Sequence, residues 1–566
     1  MAHRRLLGAG LIAVVGLSAV SCGATTDGAA RPPTITPGPA HVALGATEQF
    51  SVSGDASVIW GVAEVEEDAA APPPAYPVRV EADGRYLVDD QDRPWRIQAD
   101  AGWLMSAEAT PQEVDEYLAT RQAQGFNSFY LHAMVHPGGY DAAPNAPNNL
   151  QGDPPFASAG DFSTAGASPA SERYWAWIDS IIDKAAAHGM VVMLAYTYLG
   201  YQGGDQGWYQ EVLAQPGRQA LFEWGRWLGD RYRDRPNVIW FGLGDYTPPE
   251  GSEGARRVRA IAEGIKAAGA TQLFMAEASG PDEIPGTNAD FGSIVDVNSF
   301  YGYGPDGQGA VYETADRAWR LSPAKPAWME EGTYEGENNS GAFSGESWET
   351  RRGRFWSVLA GGTAGDGFGS RDAWQWSDFP ASLASPGADD SSHAFELFGS
   401  LPWWELQPSG TDPGFAGTTL IASGQGTWGQ PDFVTSALTT GHDWLLAYVP
   451  VTQTGARTFA VDLSAMAGPA RARWFDPDTG TYLAVDDGDV YDNAGPQSFT
   501  TPGSRSDGTD DWLLVIDTTG LAPCGTITAD GRYTAPTTIP DGLSCQVTAS
   551  LRTDPSILAR ATLDVG

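Results

Sequence analysis

Between residues 78 and 400, short apolar runs alternate with longer amphipathic segments. This alternation restricts the fold more than any other feature of the chain. The strand-like runs are WRIQAD (95–100), FNSFYLHAMV (126–135), VVMLAYTYL (191–199), NVIWFGLGD (237–245), QLFMAEA (272–278), VDVNSFYGY (295–303), KPAWMEEG (325–332) and DGFGS (366–370). Helical segments fall between them. TPQEVDEYLATRQAQ starts on Thr110 as N-cap ahead of Pro111, and SERYWAWIDSIIDKAAAHG runs from Ser171 as cap to Gly189 as stop. A hydroxyl at the cap satisfies an orphan amide, proline has no amide to satisfy, and glycine ends the helix without strain. Eight strand–helix units predict a (β/α)8 TIM barrel. A doubly wound sheet competes, but it wants a Gly-rich phosphate turn after its first strand, and none is present.

From 401 to 517 the pattern changes to strands alone, with TTLIAS, WLLAYVPV, TFAVDLS, ARARWFDPDTGTYLAV, SFTTPG and DWLLVID separated by turn signals. This predicts a β-sandwich appended to the barrel. The two chain ends share a third texture. Residues 35–66 hold ITPGPAHVALGATEQFSVSGDASVIWGVAE, residues 67–77 read as a linker, and residues 518–566 return to short alternating strands. Trp60 and Val62, with Gly525, Ile527, Gly531, Tyr533, Ala535 and Pro536, resemble the front and back of one bacterial immunoglobulin-like group 2 domain. That resemblance implies one split sandwich, since either half alone leaves an open apolar face and unpaired edges. The expected architecture is multidomain, α/β plus all-β.

Residues 1–22 carry a basic start, MAHRR, then an apolar stretch too short to span a bilayer, then AVSC. The segment resembles a bacterial lipobox. That resemblance implies lipidation of Cys22, residues 23–34 as a tether, and an extracytoplasmic chain that is lipid-anchored or secreted. In an oxidising compartment Cys524 and Cys545 are then the pair expected to form a disulfide. A net charge of −38 argues against nucleic acid or an anionic membrane surface as partner. We expect a monomer.

Catalytic groups of such a barrel sit at the C-terminal ends of its strands. Read in order, those ends offer Asp100 with Trp103, His132 with His136, Tyr196 with Tyr198, Asp245 with Tyr246, Glu277, Tyr301 with Tyr303, Glu330 with Glu331, and Arg371 with Trp374 and Trp376. A rim of carboxylates and aromatics suits a sugar: ring faces stack on it, and carboxylates supply acid–base and nucleophilic chemistry. Asp245 follows an apolar run with Trp240 and Phe241, where burial would raise its pKa and suit an acid. Glu330 and Glu331 are both candidates for its partner, and strand alternation points only one of them inward. His132 and His136 lack a third ligand at suitable spacing, so no metal or other cofactor is expected. Asn127 reads as structural.

The stretch from YLVDDQDRPWRIQADAGW to FWSVLAGGTAGDGFG resembles the apiosidase-like catalytic domain of glycoside hydrolase family 140. The segment from WWELQP to DWLLVID resembles the β-domain that usually follows it, which carries a collagen-binding label. The family's fourth-strand motif, close to N-x-x-W-x-x-G-G-D, falls on Asn237 to Asp245, with Leu243 in place of the first glycine. Its seventh-strand motif, close to K-P-x-x-x-x-E-x-x-Y-E-G, falls on Lys325 to Gly336. The resemblance implies Asp245 as acid/base and Glu331 as nucleophile of a retaining hydrolase acting on furanosyl linkages in a polysaccharide. Asp100, Trp103, His132, Tyr198, Tyr246, Glu277, Tyr301, Tyr303, Tyr334 and Trp374 are the expected substrate contacts. A histidine is common in the family where this chain has Glu277. The rival expectation is an inactive surface protein that binds carbohydrate.

Overall fold

The computed structural model describes residues 76–518 apart from 278, 281, 304–309, 339–342, 410–418, 486–489 and 506–507. Beyond that span it describes Phe50 and the backbone of strands within 35–65 and 526–565. Cys22 and Cys524 and the side chain of Cys545 lie outside the described residues, and so does the tether.

Eight parallel strands form the barrel: Ile97–Ala101, Ser128–His132, Val191–Ala195, Val238–Leu243, Phe274–Glu277, Asn298–Tyr301, Ala327–Glu331 and Gly365–Phe368. The first strand pairs with both the second and the eighth. Side chains alternate as the pleat requires. Ala99, Tyr130, Met193, Phe241, Met275 and Trp328 pack together inside. Phe129, Val192, Trp240 and Phe274 face the helices. Among the described residues no ladder joins the fifth strand to the sixth. The seam is bridged instead by Asp296, whose N–H donates to the Phe274 carbonyl at 2.7 Å while its carboxylate accepts the Phe274 N–H at 2.8 Å.

Helix Pro111–Ala123 starts as its sequence dictates, with Thr110 and Glu113 in a reciprocal capping box. Helix Pro169–Ala187 starts earlier than expected. Ser168 is its cap, and Pro169 takes the first helical position. Ser171 lies in the first turn, where its hydroxyl donates to the Pro155 carbonyl at 2.7 Å. Between the fifth and sixth strands the described residues hold a short 3-10 turn, Pro285–Thr287, rather than the expected helix. Two prolines and three glycines in the stretch SGPDEIPGTNADFG disfavour helix there.

The C-terminal region forms a large sheet of strands Leu406–Ser409, Thr435–Thr439, Trp444–Val449, Trp512–Asp517, Ala470–Asp476 and Thr481–Ala484, with Val490–Tyr491 paired beside Ala470–Asp476. A smaller sheet of Ile421–Ser423, Thr458–Asp462 and Pro496–Thr500 faces it. Three strands of the large sheet, Leu406–Ser409, Thr435–Thr439 and Val490–Tyr491, were not visible as strands in the sequence. One face of that sheet packs on the smaller sheet through Leu445, Val449, Phe459, Trp474 and Leu514. Its other face packs on barrel helices through Tyr448, Phe475, Val515, Phe355 and Phe398. A sheet buried on both faces reads as a continuous apolar run, which accounts for WLLAYV and WLLVID. Arg351 crosses this junction, reaching Asp511 at 2.9 and 3.0 Å and Asp390 at 2.8 Å.

The chain ends pair with each other. Val58–Val65 lies antiparallel to Ser544–Leu551, Ala40–Val42 runs parallel beside Asp554–Val565, and Thr47–Gln49 pairs with Arg532–Thr534. Among the described residues no helix is long and apolar enough to cross a membrane.

Candidate active site

Asp245 is presented by an unusual turn. Leu243, Gly244 and Asp245 have φ of +63°, +106° and +50°, three consecutive residues on the left-handed side. A non-glycine residue there costs about 1–2 kcal/mol, and such strain collects at functional sites. Gly244 is obligatory, because a Cβ would sit 2.2 Å from the Tyr198 ring. The turn carries the Asp245 carboxyl back over the barrel mouth. There Tyr198 donates to its Oδ2 at 2.7 Å, and Tyr301 bonds its Oδ1.

Tyr301 also lies 2.9 Å from Glu277 Oε1. Glu331 completes the group: oxygens of Asp245, Glu277 and Glu331 lie within 4.8 Å of one another, a donor set of the kind that holds a divalent cation. A bulge decides how Glu331 arrives. Phe300 pairs with Met329 but Tyr301 pairs with Glu331, so Glu330 is skipped. Trp328 faces the barrel interior. Simple alternation from it would aim Glu330 inward and Glu331 outward, and the extra residue brings Glu331 beside Tyr301. Glu330 is fully buried and its charge acts on Glu277.

Burial raises the pKa of all three acids. Asp245 is pushed up by desolvation, against the pull of the Tyr301 and Tyr198 hydrogen bonds. Glu277 is raised well above the carboxylate range by burial and then by Asp245, Glu331 and Glu330. Glu331 is raised by burial and then by Asp245, while Tyr334 and Tyr301 hydrogen-bond to it. Three carboxylates this close do not all ionise at neutral pH.

Aromatic rings wall the site. Trp103 stacks on Tyr130 at 4.5 Å and donates its indole N–H to the Tyr334 hydroxyl at 3.0 Å. His132 lies against Trp103 at 4.9 Å and Tyr198 at 4.6 Å, and burial lowers its pKa to about 3, leaving a neutral imidazole. Tyr303 meets Tyr301 edge-on at 5.8 Å. Trp374 meets Tyr140 at 5.3 Å and donates to Glu337 at 2.6 Å. Tyr246 packs on Tyr209 at 4.8 Å.

Asp100 is a correction. It is fully buried on the outer side of the first strand, where it accepts from Tyr117 at 2.6 Å and Arg121 at 2.7 Å. Ala99 and Ala101 take the interior face, so Asp100 braces a helix and touches no substrate. His136 packs on Trp208 and pairs with Glu211 at 3.3 Å, apart from the carboxylates. Trp376 is partly buried, stacks on Phe379 and packs against the core around the helices. Asn127 ties neighbouring strands through Gln98 and Arg96. Sequence reasoning missed Tyr140, whose hydroxyl bonds that of Tyr198, and Glu337. The second glutamate of YEGE was the only available signal for Glu337, and Tyr140 comes from a loop whose path sequence does not give.

Residues 81–405 match the family model described as "Apiosidase-like, catalytic domain". The chain belongs to the apiosidase-like family. As an apiosidase-like enzyme it is a glycoside hydrolase, with a carbohydrate as substrate. Residues 425–517 match the model described as "Putative collagen-binding domain of a collagenase". Two solved structures share the fold at 21% identity and a TM-score of 0.65. One, titled a glycoside hydrolase, aligns over 79% of this chain and 97% of its own. The other, a glycoside hydrolase family 5 protein from Bacteroides vulgatus, aligns over 83% of this chain and 98% of its own. No curated protein matches the chain.

Proposed function

We propose that this apiosidase-like enzyme is a retaining glycosidase acting on furanosyl linkages of a polysaccharide, with Asp245 as acid/base and Glu331 as nucleophile. The observation that carries the reading is the approach of Asp245 and Glu331 oxygens to within 4.8 Å. Retaining enzymes hold their two carboxyl groups about 5–5.5 Å apart, whereas inverting ones need roughly 6.5–9.5 Å to admit a water. Asp245, kept protonated by burial, gives its proton to the leaving oxygen as Glu331 attacks the anomeric carbon. Positive charge developing at that carbon favours the ionised form of Glu331. In the second step Asp245 takes a proton from water, and water displaces Glu331. The furanosyl preference rests on family resemblance.

Reducing-sugar release from pectin side chains, arabinans and arabinogalactans tests the activity, and NMR of the first-formed anomer tests retention. Release with inversion overturns the assigned roles; tight binding without release overturns the enzyme reading.

We further propose that the paired chain ends form one split immunoglobulin-like sandwich and that Cys22 anchors the chain at a membrane surface. Metabolic labelling with a fatty acid, lost in Cys22→Ser, tests the anchor.

A further inference from the structure

The loop 199–208 leaves the third strand and is tied down at both ends. The Leu199 N–H donates to the Leu243 carbonyl at 2.9 Å, and the Trp208 N–H to the Tyr198 carbonyl at 2.8 Å. Between them Gly200 and Gly207 meet main chain to main chain, so that a Cβ on either would collide with the other. The Gly203 N–H donates to the Gly200 carbonyl at 2.7 Å, and that of Gly204 to the Tyr201 carbonyl at 3.0 Å. Tyr201 is thereby held in place, with little of its backbone left to order when a ligand binds.

Tyr201 is 57% exposed, and among the described residues no other aromatic ring is left so open. A lone exposed ring is ordinary on a protein surface. Its neighbour singles this one out: the N–H of Gln202, the next residue, donates to the Asp245 carbonyl at 3.2 Å. A general acid gives its proton to the leaving oxygen from the leaving group's side of the bond, and the strand of Asp245 stands three places round the barrel from that of Glu331. On the Glu331 side the rings are enclosed. Tyr334 hydrogen-bonds to Glu331 and accepts from Trp103, and both rings are buried. Beside Asp245 the wall carries an exposed ring instead.

We propose that Tyr201 is a substrate-binding residue of the leaving-group subsite, its ring stacking on the apolar face of the sugar that departs when Asp245 protonates the glycosidic oxygen. The inference builds on Asp245 as acid/base. A sugar ring carries C–H groups on its faces and hydroxyls round its edge, so an aromatic face takes the first out of water and leaves the second solvated. The contact is made with a part of the substrate that does not react, and its binding energy goes into aligning the bond to be cleaved. A ring face selects for the presence of a sugar there more than for the pattern of its hydroxyls.

Two substrates test this: the pectic, arabinan or arabinogalactan glycan that the enzyme cleaves, and the glycosyl fluoride of the sugar it releases. Fluoride is a single atom and reaches no subsite. Tyr201→Ala is expected to lose about five- to tenfold in kcat/KM on the glycan and nothing on the fluoride. Its thermal midpoint should stay at the wild-type value, because the ring is exposed. Tyr201→Phe keeps the ring and should match the wild type on both substrates. Equal losses on the two substrates, no loss on the glycan, or a loss in Tyr201→Phe as large as in Tyr201→Ala each overturns the proposal. Asp245→Asn tells that failure from failure of the acid/base reading. Fluoride leaves without a proton, so a burst of fluoride survives in Asp245→Asn when Asp245 is the acid, whatever Tyr201 does.

Discussion

Tyr198, just beyond the third strand, donates its hydroxyl to Asp245 Oδ2 at 2.7 Å, at the end of the neighbouring fourth strand. That bond favours the carboxylate and opposes the upward push of burial. Tyr198→Phe removes it, so the Asp245 pKa rises further. A hydrogen bond to a charged group contributes about 1.5–3 kcal/mol, and one pKa unit corresponds to about 1.4 kcal/mol. The basic limb of kcat/KM should move about one unit towards higher pH, as a pH–rate series on any cleaved glycoside would read out.

Asp245→Asn separates the acid role from simple binding. Loss of general acid catalysis costs about 10²–10⁴ where the leaving group is a sugar alcohol. An aryl glycoside with an acidic phenol needs no proton for its departure. It should give a burst of phenol followed by slow turnover, because the second step lacks its base. Equal losses on both substrates would remove Asp245 from the acid role.

Glu331→Gln should stabilise the fold while abolishing turnover. The folded-state pKa of Glu331 lies above its unfolded value, so the unfolded chain releases this proton first as pH rises. Stability is unaffected below the unfolded value, falls through the window between the two, and stays reduced above it. The amide carries no such penalty. At neutral pH the variant should unfold at least about 1 kcal/mol later than the wild type, with the difference closing at acid pH. Urea denaturation at the two pH values measures both.

Leu243 invites the thought that glycine would be better, since it sits at a φ of +63°. The side chain decides otherwise. Leu243 is 2% exposed in the core around the helices, and deleting a buried leucine costs about 2–5 kcal/mol against about 1–2 kcal/mol of relieved strain. Leu243→Gly should therefore lower stability by roughly 1–3 kcal/mol. An unfolding midpoint above wild type would show that strain dominates.

At the junction with the β-domain, Arg351→Met leaves Asp390 without its arginine and Asp511 with Arg505 and the Tyr448 hydroxyl. Stripping one partner from a buried pair costs about 3–5 kcal/mol. Limited proteolysis should then separate the barrel from residues 401–517 at temperatures where the wild type resists.

The barrel was legible because its outer and inner faces both need apolar runs, and because capping residues mark the helices. The site was legible only in part. In RIQADA the small apolar residues face the interior and the polar ones face the helices, so no polarity signal says that Asp100 points away from the mouth. Adjacent glutamates with opposite pleat directions are indistinguishable until a bulge resets them, and that bulge depends on the sixth strand. The strand Thr435–Thr439 was missed because TSALT is short and half polar.

Finally, the ladder between Val58–Val65 and Ser544–Leu551 has a consequence for how the chain is made. During synthesis the first strand emerges long before its partner, and the barrel and β-domain must be produced in between. Contacts of such sequence separation form slowly, and an unpaired strand edge is a hazard while it waits. Nascent chains stalled before residue 544 should therefore depend on chaperones at their N-terminal segment while the barrel behind it is already folded. A strand made after the β-domain closes on one made before the barrel.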